Sequence, residues 1–182
     1  MTAIWTFSHL VVWWGLVYYE NDGTGHFSDR TEQLGARSII ETWPAGTRYV
    51  HPADLDSDGD LDFLTASCYF GNNGTIAWYA NDGSGQFGSE QVICSEARGQ
   101  ISVYAADLDS DGDLDILSSF WGDNKIAWYE NEGAGQFAYQ RVIDAEGYSP
   151  ASVYAADLDG DGDPDVLSAF YYDDKIVWYE NK

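Results

Sequence analysis

The residues with legible chemistry are fifteen aspartates in three short stretches. In ADLDSDGDLD (53–62) an Asp stands at every second position: Asp54, Asp56, Asp58, Asp60 and Asp62. The stretch returns at 106–115 with Asp107, Asp109, Asp111, Asp113 and Asp115. It returns again as ADLDGDGDPD at 156–165 with Asp157, Asp159, Asp161, Asp163 and Asp165. Carboxylates crowded this closely repel one another unless a cation sits among them. Hard divalent cations choose oxygen ligands, and Ca2+ takes about six to eight of them. In the pattern D-x-D-x-D-G-x-x-D, the Asp at positions 1, 3 and 5 converge if the chain turns sharply. Gly at position 6 permits that turn (Gly59, Gly112 and Gly162). The carbonyl at position 7 (Asp60, Asp113, Asp163) can add a backbone ligand, and Asp at position 9 closes the site. An EF-hand needs an acidic ligand at position 12, where this chain has Thr65, Ser118 or Ser168. It also needs flanking helices, and these flanks read as strands. The expectation is therefore three Ca2+ loops, each inside a β-hairpin. Mg2+ fits less well, because it favours few protein ligands and keeps its waters.

The charge supports a local cause. The formal net charge is −23, and the loops hold fifteen of the 31 acidic residues. The other sixteen, set against eight Lys and Arg, leave a surplus of only eight. Nucleic acid is a poor partner for such a chain, which has no basic patch to neutralise phosphates. Apolar residues make up 45% and aromatics 16% of the 182 residues, enough for a packed core. The apolar run at 4–19 is broken by Ser8, His9 and Gly15 and is short for a membrane span. It reads as strands, without a signal peptide or membrane insertion.

The elements that must position the loops form a repeat. A second signature alternates with the first: IAWYANDGSGQF (76–87), IAWYENEGAGQF (126–137), IVWYEN (176–181) and a degenerate LVYYENDGTGHF (16–27). Trp78, Trp128 and Trp178 are spaced by 50, as are Asp107 and Asp157, while Asp54 and Asp107 lie 53 apart. Residues 28–50 hold an insertion of about seven. Within 101–143 four strand-like runs appear, ISVYAAD, DILSSF, KIAWYEN and FAYQRVI, bounded by Gly, Asn or Asp. In KIAWYE, Ile126 and Trp128 share one face and Ala127 and Tyr129 the other. Four antiparallel strands per repeat of this length indicate a β-propeller blade. The fold class is all-β, with about 3.5–4 blades in a single domain of units near 1–46, 47–98, 99–148 and 149–182. A twofold dimer about the propeller axis needs an even blade total, leaving six or eight. A compact four-bladed ring and an open fragment of a longer protein are the other arrangements.

The Asp loops between strands resemble the calcium-binding FG-GAP/VCBS repeats of integrin α-chain propellers, over about residues 16–182. That resemblance implies side-chain ligands from Asp54, Asp56, Asp58 and Asp62, with the carbonyl of Asp60. It implies the same roles for Asp107, Asp109, Asp111 and Asp115 with Asp113, and for Asp157, Asp159, Asp161 and Asp165 with Asp163. The N-terminal unit has no Asp loop, so no fourth site is expected, and Pro164 removes an N–H but no ligand.

The function expected is a non-enzymatic binding or adhesion module with protein or carbohydrate as ligand, stiffened by calcium. The resemblance also implies alternatives: a lectin-like glycan binder, or an assembly propeller accessory to an enzyme. Trp43, Tyr69, Phe70, Trp121, Tyr171 and Tyr172 lie at or near loop ends, where they either stack on sugars or cover the neighbouring blade. Trp78, Trp128 and Trp178 are expected between blades. The three His (His9, His26 and His51) all fall in the irregular first unit and suggest no acid–base pair. Cys68 and Cys94 are expected as free thiols. Calcium loops imply an extracellular or secreted setting; with no legible signal peptide, a fragment or a processed form is expected.

Overall fold

The computed structural model describes residues 46–68, 73–99 and 101–182, together with four short strands within residues 1–45. The chain forms two compact units, Met1–Pro44 and Ala45–Lys182. In the first, β1 (Val11–Val12) pairs antiparallel with β2 (Gly15–Leu16), and β3 (Tyr19–Asn21) with β4 (Phe27–Asp29). Asn21 stands opposite Phe27, the same pairing that Asn81 makes with Phe87 and Asn131 with Phe137. The degenerate copy at 16–27 therefore pairs its Asn with its Phe as the other copies do.

The second unit holds three antiparallel sheets. The first is β5 (Thr47–Ala53), β6 (Asp62–Ser67), β7 (Asn73–Tyr79) and β8 (Gln91–Arg98), in that spatial order. The second is β9 (Ile101–Ala106), β10 (Asp115–Phe120), β11 (Lys125–Tyr129) and β12 (Arg141–Asp144), in the same order. The third has three strands, β13 (Pro150–Ala156), β14 (Asp165–Phe170) and β15 (Lys175–Tyr179). The described residues contain no α-helix; one 3-10 turn, Trp121–Asp123, links β10 to β11. Each Asp loop joins the first strand of a sheet to the second. Its mouth is a directly paired couple: Ala53 with Asp62, Ala106 with Asp115, Ala156 with Asp165.

The sheets pack face to face, and alternation decides which side chain meets which neighbour. Ile116 and Phe120 of β10, with Ala127 and Tyr129 of β11, join Leu64, Ile76 and Trp78 of the first sheet in one buried cluster. Leu117 and Ile126, on the opposite face, join Val153, Ala155, Val166 and Phe170 of the third sheet, with Trp128 packed against them. The second sheet is thus covered on both sides, and every residue of β10 is buried. Gly135 shows how closely the sheets approach: a Cβ there would collide with the Trp78 ring. The first strands carry a matching column of rings, with His51 against Tyr104 at 4.9 Å and Tyr104 against Tyr154 at 4.5 Å.

The three repeat tryptophans differ. Trp78 is 3% exposed and Trp128 packs between sheets, whereas Trp178 is 48% exposed. The expectation that all three lie between sheets fails at the last, because β15 belongs to the last described sheet of the second unit. Its neighbour Ile176 is exposed for the same reason. Neither Cys68 nor Cys94 is in a disulfide.

Candidate metal sites

Each loop turns through two left-handed positions. Position 4 is Ser57, Ser110 or Gly160, at φ 61°, 62° and 84°; position 6 is Gly59, Gly112 or Gly162, at φ 96°, 99° and 105°. A Cβ at Gly59 or Gly112 would meet nothing within 4 Å. Backbone conformation, not space, therefore selects glycine at position 6.

The turn points loop N–H groups inward at the carboxylates. Asp54 accepts from the N–H of Asp58 (3.1 Å) and of Gly59 (3.0 Å). Asp107 accepts likewise from Asp111 and Gly112, and Asp157 from Gly160 and Gly162. The position 5 carboxylates, Asp58, Asp111 and Asp161, each accept from the N–H two residues on. Position 9 is built differently. Asp62, Asp115 and Asp165 are fully buried, and each spans two strands. Asp62 accepts from Leu55 N–H (2.8 Å) and Asn81 N–H (2.9 Å). Asp115 accepts from Leu108 and Asn131, and Asp165 from Leu158 and Asn181.

Carboxylate oxygens converge to within 4.8 Å of one another in all three loops: Asp54, Asp56 and Asp58 in the first, Asp107, Asp109 and Asp115 in the second, Asp157, Asp159 and Asp165 in the third. Asp62, Asp111 and Asp161 belong to the same loops but fall outside these closest groups. The position 7 side chains turn elsewhere. Asp113 accepts from Ser57 Oγ of the preceding loop (2.9 Å), and Asp163 from Ser110 Oγ (3.1 Å). Their backbone carbonyls stay available to a metal; no such side-chain link is described for Asp60.

The electrostatics are those of anions without a counter-charge. The described ion pairs involve Glu130, Asp173 and Glu180, and none involves a loop aspartate. Burial, then the nearby Asp58, pushes the Asp56 carboxyl above its ordinary range, and burial does the same for Asp109 and Asp62. Burial raises Asp115 to about 6 against its two N–H donors. Asp165 is held below the ordinary value by the N–H of Asn181. The donor set is all oxygen, it is convergent and it is anionic. These residues fit a hard divalent cation.

The position 12 hydroxyls serve the strands. Thr65 donates to the carbonyl of Ala77, and Ser168 to that of Ser152. An EF-hand arrangement is thereby excluded at these two loops.

The Asn of the WYEN segment accepts from a turn N–H, that of Gly133 for Asn131, and has a larger part besides. The Asn131 side chain donates to the carbonyl of Leu55 in the preceding loop (2.9 Å) and to that of Leu114 in its own (3.1 Å). Asn181 bonds Leu108 (2.7 Å) and Pro164 (3.2 Å) in the same way. The recurrence of this Asn one residue after each Trp-Tyr-Glu/Ala was the available signal.

At the opposite ends of the strands, Trp121 packs against Tyr171 (5.1 Å) and Tyr172 (5.7 Å), whose rings are 63% and 65% exposed. Trp43, Tyr69, Phe70, His9 and His26 lie outside the described residues. No helix among the described residues is long and apolar enough to cross a membrane.

A family profile described as FG-GAP-like repeat matches residues 10–65, 66–118 and 119–168. Each matched stretch ends three residues past the last Asp of one loop, at Thr65, Ser118 and Ser168. No curated protein matches the chain.

Proposed function

The chain belongs to the FG-GAP-like repeat family, and from that membership we propose that it is a calcium-binding β-propeller module that binds a partner and does no catalysis. The observation that carries the calcium reading is the convergence of three carboxylates in each of three loops, with none of the described ion pairs reaching a loop aspartate. Asp54, Asp56, Asp58 and Asp62 would hold the first ion with the Asp60 carbonyl. Asp107, Asp109, Asp111 and Asp115 with Asp113, and Asp157, Asp159, Asp161 and Asp165 with Asp163, would hold the others. A bound Ca2+ supplies positive charge that cancels the repulsion within a loop. The loop residues then fasten the first strand of a sheet to the second and third, through the position 9 carboxylate. A cation that binds only the folded chain stabilises it by linkage.

An extracellular setting, where calcium is plentiful, suits such loops. The partner is a protein or a carbohydrate. The exposed rings of Tyr171 and Tyr172 beside Trp121 favour carbohydrate as the second reading, and a glycan array tests it. A second copy completing the ring is the assembly form of the same reading, tested by solution mass.

Calorimetric titration with CaCl2, with melts in calcium and in EDTA, tests the main proposal. About three sites and a large loss of melting temperature in EDTA are expected. Absence of binding heat, with identical melts, overturns it.

A further inference from the structure

We infer that the three aspartate loops load cations as a coupled row, with Asn131 and Asn181 as the positioning residues that pass the state of one loop to the next. The inference rests on the reading that the loops hold calcium. Its physical basis is an unbroken hydrogen-bonded path across the three sheets.

The path starts at Asn81, whose N–H donates to Asp62. Asp62 also accepts from Leu55 N–H, and the Leu55 carbonyl accepts from the Asn131 side chain in the next sheet. Asn131 N–H donates to Asp115, which also accepts from Leu108 N–H. The Leu108 carbonyl then accepts from the Asn181 side chain, and Asn181 N–H donates to Asp165. Every third residue of the path, Asp62, Asp115 and Asp165, is a candidate cation ligand. Asn131 and all three position 9 carboxylates are fully buried, so a link that breaks at Asn131 is not replaced by water.

A second connection runs in parallel. Ser57 Oγ donates to Asp113, and Ser110 Oγ donates to Asp163. Each joins position 4 of one loop to position 7 of the next, the residue whose carbonyl is a candidate ligand. The third loop has Gly160 at position 4 and carries no such donor, so the row has a direction.

A cation drawing in the carboxylates of one loop thus sets the backbone of its second residue. That backbone carries the acceptor for the next sheet's Asn, and the same Asn holds the next loop's position 9 carboxylate. Charge alone predicts the opposite order of affinities. The first cation makes the neighbourhood less negative, and later ones bind more weakly. Positive cooperativity is therefore the mark of the hydrogen-bonded row.

The test is calorimetric titration of the whole chain with CaCl2 at about 0.15 M salt, for the wild type, Asn181→Ala and Ser110→Ala. Neither substitution changes charge or removes a candidate ligand. The wild type is expected to bind in one sigmoidal step, with later ions about tenfold tighter than the first. Asn181→Ala is expected to split off one site weakened about tenfold, with the stoichiometry kept. Ser110→Ala moves the same way by less. If Asn181→Ala does not fold, as circular dichroism would show, the exposed Ser110→Ala decides. Three independent sites with equal affinities in all three proteins would overturn the coupling and leave the calcium reading intact. A cooperative wild type with unchanged variants would overturn the assignment to these residues. Absence of any binding would remove the calcium reading and the coupling together.

Discussion

The side-chain amide of Asn131 donates a 2.9 Å hydrogen bond to the carbonyl of Leu55, 76 residues earlier in the chain, at a site closed to water. Asn131→Ala leaves that carbonyl and the Leu114 carbonyl without their donor. An unpaired buried polar group costs about 1–3 kcal/mol, so a loss of about 2–4 kcal/mol is expected for the two. Asn181, which is only partly buried, should cost about half as much when replaced by Ala. Urea unfolding in EDTA measures both, and equal losses would contradict the difference in burial.

The buried carboxylates give the calcium-free protein a distinctive pH profile. Asp115 is raised to about 6, and Asp62, Asp56 and Asp109 are raised as well. Between about pH 4, the ordinary carboxylate value, and about 6 the folded state keeps a proton that the unfolded chain has lost. The stability from protonated Asp115 is complete below about pH 4 and is lost as the pH rises through about 6, and the other three act in the same direction. In EDTA the melting temperature should therefore fall from pH 5 to pH 7. Saturating Ca2+ should abolish or reverse the fall, because the ion binds only ionised ligands. A rise in EDTA over that interval would show that the loops do not govern stability.

Two glycines separate backbone strain from crowding. Gly112 sits at φ 99° with open space around its missing Cβ. Gly112→Ala should cost about 1–2 kcal/mol from conformation alone and weaken the second loop's affinity for calcium. Gly135→Ala adds a collision with the Trp78 ring and should cost more, while leaving the affinity of each loop nearly unchanged. Melts and titrations of the two variants distinguish the effects.

Equivalent repeat positions should respond unequally to truncation. Trp78→Ala empties a site packed between two sheets and should cost about 3–5 kcal/mol. Trp178→Ala, at a residue already 48% exposed, should cost about 1 kcal/mol or less. Denaturant unfolding provides the comparison. A large loss at Trp178 would mean that another surface covers it in solution.

Much of the site could be read locally. The alternating Asp, the glycine at position 6 and the period near 50 residues are properties of adjacent residues, and the loops turn where that spacing places them. The alternation of KIAWYE assigned Ile126 and Trp128 to one face and Ala127 and Tyr129 to the other, and the two clusters divide along that line. The role of Asn131 was not legible. Its turn chemistry explains one hydrogen bond, to Gly133 N–H, but its side-chain amide serves carbonyls 17 and 76 residues away.

The sequence by itself determined the strand and turn pattern, the oxygen-only ligand inventory and the phase of the three loops. These follow from short-range sterics and from which atoms each residue carries. Tertiary structure alone decided how identical motifs diverge. Asp115 and Asp165 close the same loop pattern with equivalent N–H donors, yet desolvation outweighs those donors at the first and raises it to about 6, while the Asn181 N–H outweighs desolvation at the second and holds it below its ordinary value. Trp128 and Trp178 share a repeat position, yet one packs against the next sheet and the other, on the last described sheet of its unit, is exposed. Desolvation and packing are set by what lies across the interface, and no spacing along the chain contains that information.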